Sequence, residues 1–253
     1  VAGPSERPRT RLFVAADLAA GTSVGLPPAQ AHYVRSVLRL EAGAAVALFN
    51  GRDGEWLGHL DAVGKGWCSV AVETRTRAQE AEPDLWLVFA PLKRARIDYV
   101  AEKATELGAS ALLPVITERT VVDRVNTERL LANAVEAAEQ TERLTIPEVR
   151  PPEQLAGLLR SWPGERRLIL CDESGRAPPL AEIAAGLPSN APLAILVGPE
   201  GGFAPGELDA LRNLPFVSPA ALGPRVLRAE TAALAALAVV QALVGDWRRA
   251  RPR

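Results

Sequence analysis

Between residues 11 and 76 the apolar positions come in short bursts. RLFV, AVALFN, EWLGHLDAV and WCSVAVE are β-rich runs separated by NGRDG and GKG, and glycine-bearing turns of that length join antiparallel strands. One stretch breaks the pattern: in HYVRSVLRL, Val34, Val37 and Leu38 fall at i, i+3 and i+4, the spacing of a helix. Together these elements predict a small β-barrel. The following segment, TRTRAQEAEPD, loses its apolar residues and reaches Pro83, as a linker does.

Beyond the linker the period changes. LWLVFAPL is a continuous apolar run suited to a buried strand, and in RIDYVAEKATELGA the residues Ile97, Val100, Ala101, Ala104 and Leu107 share one helical face, with Gly108 as the stop. The alternation continues through ALLPVI, a helix over about 126–143, RLILC, a short helix near Leu180, LAILVG, a helix from Pro205 and a last alanine-rich helix over about 228–247. Strands alternating with helices predict an α/β fold with a mostly parallel sheet covered on both faces. The expected division is 1–78 for the barrel and 79–253 for the α/β part.

Composition narrows the function classes. At 253 residues, 48% hydrophobic and 23% charged, the chain is long enough for one or two domains with a sizeable core. Its 29 basic and 30 acidic residues leave a net charge of −1, which excludes holding nucleic acid by bulk positive charge and leaves only a local basic cluster. Cys68 and Cys171 lie far apart, and His32 and His59 are the only imidazoles, so neither a disulfide framework nor a metal site is expected. No run of eighteen uncharged apolar residues occurs, and VAGPSERPRT carries charges where a signal peptide would be apolar. The expected location is cytoplasmic, with no membrane partner.

Two turns carry candidate chemistry. LAILVG runs into Gly198, Pro199, Glu200, Gly201 and Gly202 before the helix at Pro205, and a glycine-rich turn at the carboxyl end of a parallel strand is where α/β sheets bind ligands. Proline removes an amide donor there and glutamate repels an anion, so a phosphate cradle is disfavoured. A second turn, Leu222, Gly223, Pro224 and Arg225, leads into VLRAETAALAAL, where Glu230 sits in the first helical turn and complements the dipole. Two such loops at strand ends imply one shared pocket. In EAAEQTER, Glu139, Gln140 and Arg143 fall at i, i+1 and i+4, the spacing of a solvated ion-paired helix face as well as of a site.

VGPEGGF at 197–203, LGPRVLRAETA at 222–232, KATELGA at 103–109, EAAEQTER at 136–143 and HYVRSVLRL at 32–40 together resemble the small-subunit ribosomal RNA uridine-N3 methyltransferases, the RsmE family. The resemblance implies an N-terminal PUA-like β-barrel and a C-terminal SPOUT domain whose chain end forms a trefoil knot, an arrangement too rare for periodicity to suggest. It also implies S-adenosylmethionine as cofactor, 16S ribosomal RNA or the small ribosomal subunit as partner, and a homodimer. The last helix suits the dimer, since Ala232, Ala233, Ala235, Ala236 and Ala238 would let helices approach closely; accommodating the chain's own crossing is the other use for them.

By that resemblance the cofactor would be enclosed by Leu196, Gly198, Pro199, Glu200, Gly201, Gly202, Leu222, Gly223 and Leu227, which offer apolar walls and backbone groups for an adenine. Methylating a uracil imide requires loss of its proton and stabilisation of the anion, and an arginine on a carbonyl oxygen supplies the second. Arg11, Arg143 and Arg228 are the candidate catalytic arginines, with Glu139 as proton acceptor or orienter. Arg11, Arg35 and Arg39 are candidate RNA-phosphate ligands, the last two spaced i, i+4 on the barrel-domain helix. Two other readings stand beside this one: a SPOUT ribose 2′-O-methyltransferase acting on ribosomal or transfer RNA, and a non-catalytic RNA-binding assembly factor.

Overall fold

The structure, a computed structural model, describes residues 7–249 except Lys65, Asp123 and Asn190. Residues 1–6 of the charged N-terminal stretch therefore lie outside the described residues. The chain groups into two units: one runs to Ala81 and takes in Ala138–Ile146, and the other comprises Glu82–Ala137 and the chain from Pro147 onward.

In the first unit, β1 (Arg11–Phe13), β2 (Ser23–Leu26), β3 (Ala45–Phe49), β4 (Glu55–Gly64) and β5 (Trp67–Arg77) form one sheet in the order β1-β3-β4-β5-β2. Only β1 and β3 run parallel. Bulges at three places along the β4–β5 pair bend it, as a barrel-like sheet demands. Leu12, Val24, Val34, Leu48, Leu60 and Val70 fill the interior. The run SVGL that forms β2 was not expected as a strand; its alternation of exposed Ser23 and Gly25 with buried Val24 and Leu26 is too short to stand out.

The barrel-unit helix starts earlier and ends sooner than its periodicity predicts. Helix α1 covers Pro28–His32 and opens on Pro28, whose missing N–H costs nothing at that position. The chain then widens over Tyr33–Val37, where the Leu38 N–H reaches the Tyr33 carbonyl at 3.0 Å. Arg39 follows with φ of 55°, outside any helix. Arg35 and Arg39 are thus not an i, i+4 helical pair, a correction to the expected geometry. They are nevertheless brought together, since both line one shallow groove with Leu40, Glu41, Asp61 and Val63.

The second unit contains β6 (Leu85–Phe89), α2 (Arg94–Glu106), β7 (Ala111–Ile116), α3 (Thr127–Thr141), β8 (Glu148–Val149), β9 (Glu153–Gln154), α4 (Leu155–Arg160), β10 (Arg167–Cys171), α5 (Leu180–Ala185), β11 (Leu193–Val197), α6 (Pro205–Arg212), β12 (Val217–Ala220) and α7 (Ala229–Leu243). The last turn of α3, from Ala138, groups with the first unit. The strand order is β12-β10-β11-β6-β7-β8, with β9 also on β7, and every pair is parallel.

Alternate residues of each strand enter two cores. Leu85, Leu87 and Phe89 pack on one face with α2 and α7, while Trp86 and Val88 pack on the other with Leu168, Leu196 and Leu211. Burial on both faces explains the unbroken apolar runs. From the β12 edge, α7 returns over β11 and β6 to pack on α2 and α5, the return that the knotted fold requires. Ala232, Ala233 and Ala236 are consumed by this packing, at 8%, 1% and 0% exposure. Those three small residues serve the chain's own crossing rather than a second copy.

Candidate functional site

The carboxyl ends of β10, β11 and β12 open onto a cavity of about 490 Å³. This lies within the size range of small-molecule sites. Three loops build it: 172–175 after β10, 198–203 after β11 and 221–228 after β12, joined by Arg96 of α2 and by Ala229 and Ala232 of α7. The floor is apolar, from Val197, Leu222, Leu227 and Ala232, and the charged lining residues are Arg96, Asp172, Glu173, Glu200, Arg225 and Arg228. Parallel strands put their carboxyl ends on one side, so loops distant in sequence converge there.

Of the residues singled out for a cofactor, Gly198, Pro199, Glu200, Gly202, Leu222, Gly223 and Leu227 line the cavity, as does Arg228. Leu196 does not: it is fully buried, in the core cluster that also holds Phe203 and Leu208. Adjacent strand residues face opposite ways, and Val197 takes the cavity side. Gly201 is also absent from the lining; a side chain there would meet only Arg119 Cβ and Cδ at 4.0 Å. Close approach belongs instead to Gly198, where a Cβ would come within 2.8 Å of the Phe203 ring, and to Gly202, where φ is +66° and a Cβ would strike the Glu173 carboxylate.

Two of the loops are pinned by side chains that do not line the cavity. The Asp172 side chain, 1% exposed, accepts Arg212 Nη2 at 2.6 Å and Nε at 3.1 Å on one oxygen, and the Ser174 N–H at 2.8 Å on the other. Desolvation pushes its carboxyl up, but the Arg212 bonds, the Ser174 bonds and the Arg212 charge outweigh it and hold the group below the ordinary aspartate value. The 198–203 turn is held by Arg119 Nη1 donating to the Gly201 carbonyl at 3.0 Å. Glu207 accepts the N–H groups of Glu118 and Ala204 at 3.0 and 3.3 Å. Cys171 also lines the cavity, but burial pushes its thiol up to about 12, so it is no nucleophile.

Arg11, Glu139 and Arg143 belong to the first unit, where the structure gives them other tasks. Arg11 Nε donates to Glu55 at 2.7 Å, Nη1 to the Ala138 and Glu139 carbonyls at 2.8 and 3.0 Å, and Nη2 to the Arg143 carbonyl at 3.0 Å. Its guanidinium also lies 4.5 Å from the centre of the Phe49 ring. A guanidinium so engaged and 10% exposed ties down the end of α3, where a free cation for RNA or the base was expected. Glu139 accepts the Phe13 N–H at 2.9 Å. Helix α3 stops at Thr141 and Glu142 takes φ of 59°, so Arg143 falls beyond the expected helical face; its Nε donates to Thr145 at 3.1 Å.

Sequence reasoning missed Arg96. It lies 3.7 Å from Glu200 and 3.6 Å from Glu230. Its signal was the basic run KRAR directly after a buried strand, but a charged first turn is ordinary enough to pass unread. Asp172 and Arg212 were missed because residues 40 apart show no spacing to read.

A parallel sheet with a three-loop cavity at its strand ends, and a separate bent β unit, define a two-part α/β protein with a small-molecule site. A family model described as an RNA methyltransferase domain matches residues 79–241, and one described as an RNA methyltransferase PUA domain matches residues 26–73. The Ribosomal RNA small subunit methyltransferase E of Rickettsia conorii is 33% identical over 235 residues, covering 92% of this chain and 95% of that protein. The crystal structure of that enzyme from Neisseria gonorrhoeae, bound to S-adenosyl methionine, superimposes with a TM-score of 0.85 at 29% identity, covering 94% of this chain and 99% of that one. A Legionella pneumophila chain solved with bound SAM gives a TM-score of 0.85 at 32% identity over 95% of this chain and 99% of its own. The chain belongs to the ribosomal RNA small subunit methyltransferase E family.

Proposed function

We propose that the protein transfers a methyl group from S-adenosylmethionine to N3 of a uridine in small-subunit (16S) ribosomal RNA. The observation that carries this reading is the cavity where the 172–175, 198–203 and 221–228 loops meet. The residues present fit the cofactor: the floor is apolar, as an adenine requires, and the lining carries carboxylates, Glu173 and Glu200, as well as arginines, Arg225 and Arg228, for a ligand with a sulfonium, an ammonium and a carboxylate. Val197, Leu222 and Leu227 would wall the adenine, and Gly198, Pro199, Glu200, Gly202 and Gly223 would frame the rest with backbone groups. When bound, the cofactor supplies an electrophilic methyl on a sulfonium that leaves as a neutral thioether.

The chain's own work is to orient the base and to favour its deprotonated form. Arg228, at the start of α7 and on the cavity rim, is the candidate to bond a uracil carbonyl as charge develops on it. No histidine lies among the described lining residues, and carboxylates are weak bases for a ribose hydroxyl. That inventory favours a uracil imide over a 2′-hydroxyl acceptor.

The barrel unit, assigned to 1–78, would hold RNA through Arg35 and Arg39, and the segment 79–253 would carry out the transfer. A splayed, unpaired nucleotide is the form in which a single base can be read. We assign a homodimer as the working unit, as the family resemblance implies; sedimentation at micromolar concentration tests it. Among the described residues no helix is long and apolar enough to cross a membrane, which accords with a cytoplasmic location beside ribosomal RNA. Nucleoside analysis of 16S RNA from cells with and without the protein decides the chemistry: N3-methyluridine that disappears with the protein is expected, and a ribose 2′-O-methyl that disappears instead would overturn it.

A further inference from the structure

We propose that Arg96 is a second catalytic arginine, meeting one uracil carbonyl oxygen while Arg228 meets the other, and that Glu200 and Glu230 are positioning residues that aim it. The inference rests on the uridine-N3 reading above. Arg96 enters the cavity from the first turn of α2 and shares its lining with Arg228. Its Nη1 lies 3.7 Å from Glu200 Oε1 and its Nε 3.6 Å from Glu230 Oε1. Those separations give Coulombic attraction but exceed hydrogen-bond length. Two carboxylates, one in the 198–203 loop and one in the first turn of α7, thus hold the guanidinium without using up its five donors. Glu230 is 15% exposed on its side chain, and its Oε2 is buried with no hydrogen-bond partner in the structure. It does not line the cavity, so it acts through Arg96.

Glu200 would hold the guanidinium from the rim and Glu230 from beneath, while Arg225, Arg228, Glu173 and the Asp172–Arg212 pair make up the remaining charge around the cavity. An unspent guanidinium in such a frame is preorganised for charge that appears only during reaction. When N3–H gives its proton to water, the negative charge spreads over O2 and O4, one oxygen on each side of N3. Arginine binds that anion better than the neutral imide, so it lowers the pKa of the imide in the site. The N3 electron pair then forms the bond to the methyl carbon while the pair of the breaking C–S bond stays on sulfur, and the proton released to water balances the charge.

Arg96→Ala, Arg96→Lys and Glu230→Gln test this through three readouts: calorimetry with S-adenosylmethionine, single-turnover methylation of 16S RNA across pH, and mass spectrometry of the product. Cofactor affinity should stay within about two-fold of the parent. Turnover by Arg96→Ala should fall about 100-fold at neutral pH, the scale of one lost oxyanion donor, and the deficit should shrink as pH rises and the imide ionises unaided. Arg96→Lys should recover part of the loss, and it carries the test if the alanine variant fails to fold. Glu230→Gln should lie between the parent and Arg96→Ala, with the same pH-dependent recovery. A deficit equal at every pH means a purely structural role, and a ten-fold loss of cofactor affinity means Arg96 binds the cofactor; either overturns the proposal. Unchanged turnover also overturns it. A parent product other than N3-methyluridine overturns the underlying reading, whatever the variants do.

Discussion

Arg11→Ala separates a structural arginine from a catalytic one. The substitution deletes four hydrogen bonds and the Phe49 contact, leaving Glu55 and the carbonyls of Ala138, Glu139 and Arg143 without their donor. Removing one partner of a buried ion pair costs about 3–5 kcal/mol, because the other charge is left desolvated. Here Glu55 keeps the Thr76 hydroxyl at 3.1 Å and Arg77 at 3.9 Å, and its side chain is 12% exposed. Those residual partners place the expected loss at the lower end, about 3 kcal/mol. Arg11→Lys restores a charge to Glu55 but cannot reach three carbonyls, so it should recover roughly 1 kcal/mol.

Urea unfolding followed by tryptophan fluorescence measures this, since Trp56 and Trp67 lie in the first unit. With a slope of about 1–3 kcal/mol per molar, a loss near 3 kcal/mol moves the midpoint of that unit by at least about 1 M. Cofactor affinity of the folded variant should match the parent, because Arg11 is absent from the cavity lining. An Arg11→Ala protein as stable as the parent but unable to methylate RNA would refute the structural assignment and return Arg11 to the catalytic set.

Gly202→Ala should weaken cofactor binding and cost about 1–2 kcal/mol of stability, since φ there is +66°, whereas Gly201→Ala should leave calorimetric affinity near the parent's; equal effects would mean the loop is not shaped as described. Asp172 has a carboxyl held below its ordinary value when folded, so it adds stability above about pH 4 that is lost as pH falls through the folded value. Asp172→Asn should therefore be less stable at neutral pH and lose stability less steeply in acid, and an unaltered acid limb in thermal melts would contradict this. Arg39→Ala should weaken RNA binding and reduce the slope of log affinity against log salt by about 0.7–0.9, one phosphate's worth, so a filter-binding slope equal to the parent's would remove Arg39 from the RNA face.

The parallel sheet was legible because strands buried on both faces leave unbroken runs such as LAILV, and α2 because its buried Ile97, Val100, Ala101 and Ala104 repeat at helical spacing. The meeting of the 198 and 222 turns in one cavity was also legible, since parallel strands bring their carboxyl ends together. What escaped depends on geometry that periodicity does not encode. Gly201 and Gly202 are the same letter, and only the backbone torsion distinguishes the one that must stay bare. Arg11 reads as a free cation until the end of α3 comes to it, and the pairing of Arg96 with Glu200 and Glu230 spans 104 and 134 positions. Arg39 was placed correctly beside Arg35 for the wrong reason, because the widened turn after His32 carries it there rather than helical repetition.

The cavity's charged frame bears on how binding energy is used. A ligand that must order three loops forfeits part of its contact energy to their lost freedom. Here part of the ordering is already done: Asp172 and Ser174 fasten the first loop to Arg212, and Arg119 and Glu207 fasten the second. Within the cavity Val197, Leu222 and Leu227 are left to grip a purine without a charge to satisfy. Loss of an outer fastening should then appear as a looser loop and weaker binding, even though no atom in contact with the cofactor has changed. Arg96, at 3.7 Å from Glu200 and 3.6 Å from Glu230, spends no hydrogen bond on either, so its donors stay presented to the base.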